Sequence, residues 1–167
     1  MYFLNNKKEC CGCSACLNIC PKGCIRMKLD EEGFNYPYIY DEKNCIECKL
    51  CEKTCPILNK EEKSIVPEVY ACKNINEEIR KESSSGGIFT LIAEFILNNN
   101  GIVFGAMFDK NFNVIHGSVE EINELYKLRG SKYSQSDMKD SYVRVKNELN
   151  KNRLVLFSGT PCQVGGL

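Results

Sequence analysis

The chain has no long apolar run, no excess charge of either sign and one histidine, His116. Each scarcity excludes something. No stretch approaches the ~20 consecutive apolar residues that a bilayer-crossing helix needs, so no transmembrane segment is expected. Lys plus Arg and Asp plus Glu balance at 22 each. Without a field of one sign, nucleic acid is not an expected partner. The opening "MYFLNNKKEC" is too short and too polar for a secretory leader, and a cytoplasmic protein is expected. What the chain does have is cysteine, 12 in 167 residues. In a reducing compartment so many thiols favour metal binding over disulfides.

Ten of the 12 cysteines lie before residue 56, and only Cys72 and Cys162 stand apart. Cys10, Cys13, Cys16 and Cys20, followed by Pro21, fit C-x2-C-x2-C-x3-C-P. Cys45, Cys48, Cys51 and Cys55, followed by Pro56, fit it again. In this bacterial ferredoxin run three closely spaced thiolates hold one cluster and the fourth crosses to the other. The expected ligands are Cys10, Cys13, Cys16 and Cys55 for one 4Fe-4S cluster, and Cys45, Cys48, Cys51 and Cys20 for the second. Structural zinc sites, the competing reading, take two CxxC pairs split by a longer loop. Cys11 and Cys24 are left over and read as small structural residues.

Between the runs, "IRMKL" and "FNYPYIY" flank "DEEG", two short strands and a turn. Residues 1–60 therefore read as a two-cluster ferredoxin-like domain with internal pseudo-twofold symmetry. Residues 59–67 are polar and charged, a boundary. Beyond it, residues 67–167 alternate strand and helix patterns. "EVYACK", "IVFGAMF", "VIHGSVE" and "RLVLFSG" read as strands, the middle two paired across "DKNFN". "GIFTLIAEFILNNNG", "EEINELYKL" and "MKDSYVRVKNELNKN" read as helices. The expected whole is α+β: a small ferredoxin-like domain, then a truncated α/β domain on a largely parallel sheet. The sequence stops where a further helix is due.

Three polar stretches fall where ligands gather. Ser84, Ser85, Gly86 and Gly87 precede a helix, a start suited to a phosphate, with plain N-capping by Ser84 or Ser85 as the alternative. Arg129, Gly130, Ser131, Lys132 and Tyr133 place cations and hydroxyls in a non-periodic loop. Ser158, Gly159, Thr160, Cys162 and Gln163 follow a strand, and open α/β sheets bind ligands at the carboxyl ends of strands. Cys162 reads as a further metal ligand, a redox thiol or a small structural residue. His116 reads as a packed strand residue, with proton donation near a flavin as the alternative.

The order of the ferredoxin runs, "SSSGG", "GAMFD", "LRGSKYSQSD" and "VLFSGTPCQVGGL" resembles the coenzyme F420 hydrogenase/dehydrogenase beta-subunit family. The resemblance implies two 4Fe-4S clusters, FAD in the full-length protein and transfer of electrons between a hydride-carrying coenzyme such as reduced F420 and a one-electron partner protein. It makes the three polar stretches candidate contacts for FAD or its substrate. It also implies a longer family member, with the C-terminal part of the flavin-bearing domain missing here. Two other classes compete with the oxidoreductase subunit. One is a ferredoxin-type carrier whose second domain only docks a partner; the other is a zinc-stabilised interaction module.

Overall fold

The computed structural model describes residues 7–59 and 66–167, so most of the expected boundary at 59–67 lies outside the described residues. By its contacts the chain divides into two units, Met1–Glu62 with Gly159–Leu167, and Lys63–Ser158.

In the first unit both cysteine runs follow the same backbone path. Gly12 and Glu47 hold equivalent places with φ of 64° and 51°, and Ser14 and Lys49 do so with 63° and 58°. Left-handed backbone is free for glycine but costs a residue with a Cβ about 1–2 kcal/mol. Each twist launches a short helix, α1 (Ala15–Ile19) in one run and, after the intervening hairpin, α2 (Leu50–Lys53) in the other. The hairpin pairs β1 (Ile25–Leu29) with β2 (Asn35–Ile39), antiparallel from Ile25↔Ile39 to Leu29↔Asn35. Its turn is closed by the Asp30 carboxylate, which accepts the amides of Glu32 and Phe34, each at 3.0 Å.

The second unit opens differently from the expectation. Residues 66–75 form no strand; Val69 and Tyr70 are 87 % and 75 % exposed. An alternating pattern there has no sheet to face. A short helix α3 (Glu77–Lys81) follows, capped by the Asn76 side chain. Next come α4 (Ile88–Asn98) and β3 (Ile102–Phe108), which meet where the Gly101 amide donates to the Ile96 carbonyl at 2.9 Å. β4 (Val114–Val119) returns antiparallel to β3, with Val103↔Val119 and Phe108↔Val114 in register. A 3₁₀ helix (Ile122–Lys127), α5 (Ser141–Asn150) and β5 (Val155–Phe157) complete the unit.

The sheet order is β4-β3-β5, with β5 parallel to β3. This mixed sheet corrects the expectation of a largely parallel one: the short loop from Asp109 to Asn113, closed by the Asp109 carboxylate, turns β4 straight back on β3. Side chains alternate across a strand, so β3 builds two cores. Val103 joins Ala93, Leu97, Val119, Leu125 and Leu128 against α4 and the 3₁₀ helix, while Ile102 and Phe104 pack on Val145 of α5. α6 (Pro161–Gly165) lies in the tail that clusters with the first unit, where a Cβ on Gly165 would meet Pro56 Cβ at 3.1 Å.

Candidate functional site

The two cysteine sets line two separate cavities in the first unit. Cys10, Cys13, Cys16 and Cys55 surround one, with Met27, Tyr36 and Pro37 of the hairpin as an apolar wall. Cys20, Cys45, Cys48 and Cys51 line the other, about 670 Å³, together with Cys24, Ile25 and Ile39. Cys51 borders both, and Cys11 reaches the first. Among the described residues no three His, Cys, Asp or Glu side chains gather closely enough for a single ion; the thiols stand around cavity walls.

Backbone amides point at the sulfurs. Gly12 N–H donates to Cys10 Sγ at 3.4 Å and Cys24 N–H to Cys20 Sγ at 3.3 Å. The electrostatics are divided. Burial, against the Ala15 amide, pushes the Cys13 thiol up to about 11. Burial with the neighbouring Cys13 and Cys10 sulfurs pushes Cys16 up to about 12. At Cys20 a burial penalty is outweighed by the Cys24, Lys22 and Gly23 amides, which hold the thiol below its ordinary value. A cage of soft thiols that is costly to charge alone, with amides directed at its sulfurs, is a donor set that fits iron–sulfur clusters.

The second unit holds a pocket of about 410 Å³ that gathers residues from all three polar stretches. Ser83 to Thr90 form one side, Leu128, Arg129, Gly130 and Ser131 another, and Cys72 and Ser158 complete it. Such a volume suits a small-molecule ligand. The pocket floor is the start of α4, and the serines do not cap it: the N-cap is Gly87, φ 76°, with no side-chain bond. The turn is held from outside by buried Asn74, whose backbone amide donates to the Gly86 carbonyl at 2.6 Å and whose Nδ2 donates to the Gly87 carbonyl at 3.3 Å. Nothing in "ACKNIN" marks Asn74 for that task. Arg129 is braced by Nε donating to Thr90 Oγ1 at 3.2 Å and by an ion pair with Glu82.

The other candidates of these stretches are not part of the pocket lining. Lys132 Nζ donates to the carbonyls of Arg129 at 2.7 Å and Lys127 at 3.0 Å, and burial lowers its pKa. Tyr133 is 99 % exposed. Gly159, Thr160, Cys162 and Gln163 lie in the tail that clusters with the first unit. There Gln163, 2 % exposed, accepts the Thr160 amide through Oε1 at 2.9 Å, half of a capping box on α6. Burial foremost, with Cys162 and Cys55 as neighbours, raises the Cys10, Cys11 and Cys13 thiols. His116 is packed, 3 % exposed, and stacked on Phe157 at 4.7 Å.

Residues 9–58 match the 4Fe-4S dicluster domain family, and residues 69–141 match the family of the coenzyme F420 hydrogenase/dehydrogenase beta subunit, N-terminal part. The two matches together support the likeness to the coenzyme F420 hydrogenase/dehydrogenase beta-subunit family that the motifs carry. It is an iron–sulfur electron-transfer protein with 4Fe-4S clusters in a ferredoxin-like part. Among curated relatives, an uncharacterized ferredoxin of Methanocaldococcus jannaschii is 41 % identical over 51 residues, 30 % of this chain and 64 % of that protein. The ketoisovalerate oxidoreductase subunit VorC of Methanothermobacter marburgensis is 35 % identical over 60 residues, 35 % of this chain and 75 % of the relative. A component of the ion-translocating oxidoreductase complex of Buchnera aphidicola is 31 % identical over 84 residues, 48 % of this chain but 18 % of that component. The chain thus spans under two thirds of the ferredoxin and under a fifth of the ion-translocating component. Among the described residues no helix is long and apolar enough to cross a membrane.

Proposed function

We propose that the chain works as an oxidoreductase subunit that moves electrons between a hydride-carrying coenzyme and a one-electron redox partner protein. In this reading Cys10, Cys13, Cys16 and Cys55 hold one 4Fe-4S cluster and Cys45, Cys48, Cys51 and Cys20 the second. The observation that carries the coenzyme half is the second-unit pocket. Its Ser83 to Thr90 side presents a glycine turn and the first amides of an eleven-residue helix, and its opposite side presents Arg129 and Ser131. Amides at a helix start and a braced guanidinium recognise phosphate oxygens, which FAD and reduced F420 both carry.

The division of labour follows from electron count. Clusters pass single electrons, whereas a flavin accepts a hydride and releases its two electrons singly. The chain's own residues bind and orient. Asn74 fixes the Gly86–Gly87 turn so that Ser84 and Ser85 form the pocket rim, Thr90 and Glu82 aim Arg129, and the first-unit amides offset thiolate charge.

The test is anaerobic purification followed by calorimetric titration with FAD and, separately, inorganic pyrophosphate. The expected result is saturable binding of both, weakened tenfold or more by Arg129→Ala (about 1.4 kcal/mol) with iron content unchanged. Absence of binding with about eight irons per chain in place overturns the coenzyme half. The protein would then be a ferredoxin-type carrier whose second unit docks a partner; the likeness of its cysteine-rich part to the Methanocaldococcus jannaschii ferredoxin supports the carrier half of that reading.

A further inference from the structure

The two cysteine-lined cavities of the first unit differ in the charge on their walls. The second carries the carboxylates of Glu42, Glu47 and Glu52 and the ammonium groups of Lys22 and Lys49. Among the described residues the wall of the first carries a single formal charge, Lys7, beside the thiols and the apolar Met27, Pro37 and Ile57. A lysine stem is ordinarily free to swing, yet Lys7 is held at three points. Its carbonyl accepts the Cys10 amide at 3.0 Å, its Nζ donates to Asp30 Oδ2 at 2.8 Å, and the same Nζ stands 5.2 Å from the centre of the Tyr36 ring. Asp30 is fixed in turn by the Glu32 and Phe34 amides. Lys7 lines the cavity and Asp30 does not, so the pair turns its positive end to the thiols. The Asp30 bond also raises the Lys7 pKa, and the ammonium keeps its proton.

We propose that Lys7 sets the reduction potential of the 4Fe-4S cluster held by Cys10, Cys13, Cys16 and Cys55, raising it so that this cluster accepts an electron more readily. The role rests on the reading in which those four thiolates hold a cluster; iron content reports on that reading separately. Reduction brings one electron from the redox partner protein. No bond forms or breaks and no proton moves, so the surroundings must meet the whole of the added negative charge. An apolar wall resists it, because charge is costly where water is kept away. A cation on the same wall favours it, and cluster potentials respond to net charge and solvent exposure. Lys7 thus offsets the penalty that its apolar neighbours impose. Its side chain is 45 % exposed, so water and salt screen the effect to a modest one. The second cavity, with charges of both signs on its wall, does not depend on Lys7.

The experiment is a redox titration of the anaerobically purified, iron-loaded protein, poised with dithionite and mediator dyes and followed by electron paramagnetic resonance. Wild type, K7M, K7R and K8M are compared, with iron analysis of each. Lys8 is the control, the same charge one residue on but on neither cavity wall. K7M should lower the one-electron reduction equilibrium of one cluster about threefold, ~30 mV at 59 mV per tenfold, and leave the other in place. K7R and K8M should leave both unchanged. Combined with C20S, which spares the cluster of Cys10, Cys13 and Cys16, K7M should shift the remaining signal; combined with C55S it should not. Four results overturn the proposal: K7M with full iron and both potentials at the wild-type values, equal shifts in K7M and K8M, a shift in the C55S background, or loss of iron in K7M but not K7R, which makes Lys7 a part of the cavity's structure. Wild-type iron well below about eight per chain overturns instead the ligand reading beneath it.

Discussion

The Asn74 backbone amide donates to the Gly86 carbonyl across 2.6 Å, and that bond ties the serine turn at the start of α4 to the chain before α3. Asn74 is 4 % exposed, and its Oδ1 also accepts the Asn76 amide at 2.9 Å. Removing its side chain leaves the buried Gly87 carbonyl and the Asn76 amide without their partner, a cost of about 1–3 kcal/mol. Asn74→Ala should lower the unfolding free energy of the second unit by that amount in denaturant titration and weaken FAD binding, with iron content unchanged.

Gly86 tests the same turn from the other side. A Cβ there would lie 2.5 Å from the Cys72 carbonyl oxygen, backbone against backbone. No flexible side chain can give way, so Gly86→Ala must shift the turn, at a cost of about 1–3 kcal/mol. Pyrophosphate binding should fall while Ser84→Ala, which touches no cap, leaves the fold's melting temperature unchanged.

The proposed crossing of ligands between the two runs has its own signature. Cys20 lines the cavity of Cys45, Cys48 and Cys51, and Cys55 lines that of Cys10, Cys13 and Cys16. Cys20→Ser should remove about four of eight irons, and the cluster that survives should be the one sensitive to Cys13→Ser. Cys55→Ser should do the reverse. Iron analysis with electron paramagnetic resonance of the reduced double mutants decides it: Cys20→Ser combined with Cys13→Ser should lose all signal, and Cys20→Ser combined with Cys48→Ser should lose no more than Cys20→Ser alone.

How much of this was legible follows from how far each signal reaches along the chain. The cysteine runs were legible because a cluster cradle is local, three thiolates within seven residues. The hairpin at Asp30 and the α4 helix were legible for the same reason. Glu47 and Lys49 were not readable as left-handed residues, since only their correspondence to Gly12 and Ser14 imposes the twist. "EVYACK" carried a strand pattern without a partner strand, and pattern alone cannot supply one. The pocket motifs named a turn and an arginine that line one pocket, but the parts that hold them, Asn74 and Thr90, act through contacts with no local mark.

His116 offers a pH prediction with a clean readout, because the chain has one histidine. Burial holds its pKa down to about 4 from an ordinary 6.5. Nδ1 meets Ser136 Oγ at 3.2 Å, and Nε2 is buried without a partner among the described residues. As pH falls through 6.5 the unfolded chain takes up a proton that the folded chain refuses, so stability is lost as pH drops toward 4, at a limiting ~1.4 kcal/mol per pH unit. The single imidazole resonance should therefore keep its neutral-form shift from pH 8 down to about 5, and His116→Phe should flatten the stability profile between about 4 and 6.5.

Arg129 and Lys132, three residues apart in one loop, should part company when mutated. Arg129 lines the pocket, and its Nε contact to Thr90 turns it toward the start of α4. Lys132 instead spends its ammonium on the carbonyls of Lys127 and Arg129, closing the end of the 3₁₀ helix (Ile122–Lys127). Arg129→Ala should raise the dissociation constant for pyrophosphate tenfold or more (about 1.4 kcal/mol). Thermal unfolding should move less, because the Glu82 pair it breaks has a largely exposed carboxylate and exposed pairs contribute under about 1 kcal/mol. Lys132→Ala should do the opposite: lower the melting temperature by removing two charge-assisted bonds to carbonyls, about 1.5–3 kcal/mol each at most. Lys132→Met, which keeps the aliphatic stem, should recover the packing but not those bonds. Equal loss of pyrophosphate affinity in Lys132→Met and Arg129→Ala would place both cations on the ligand.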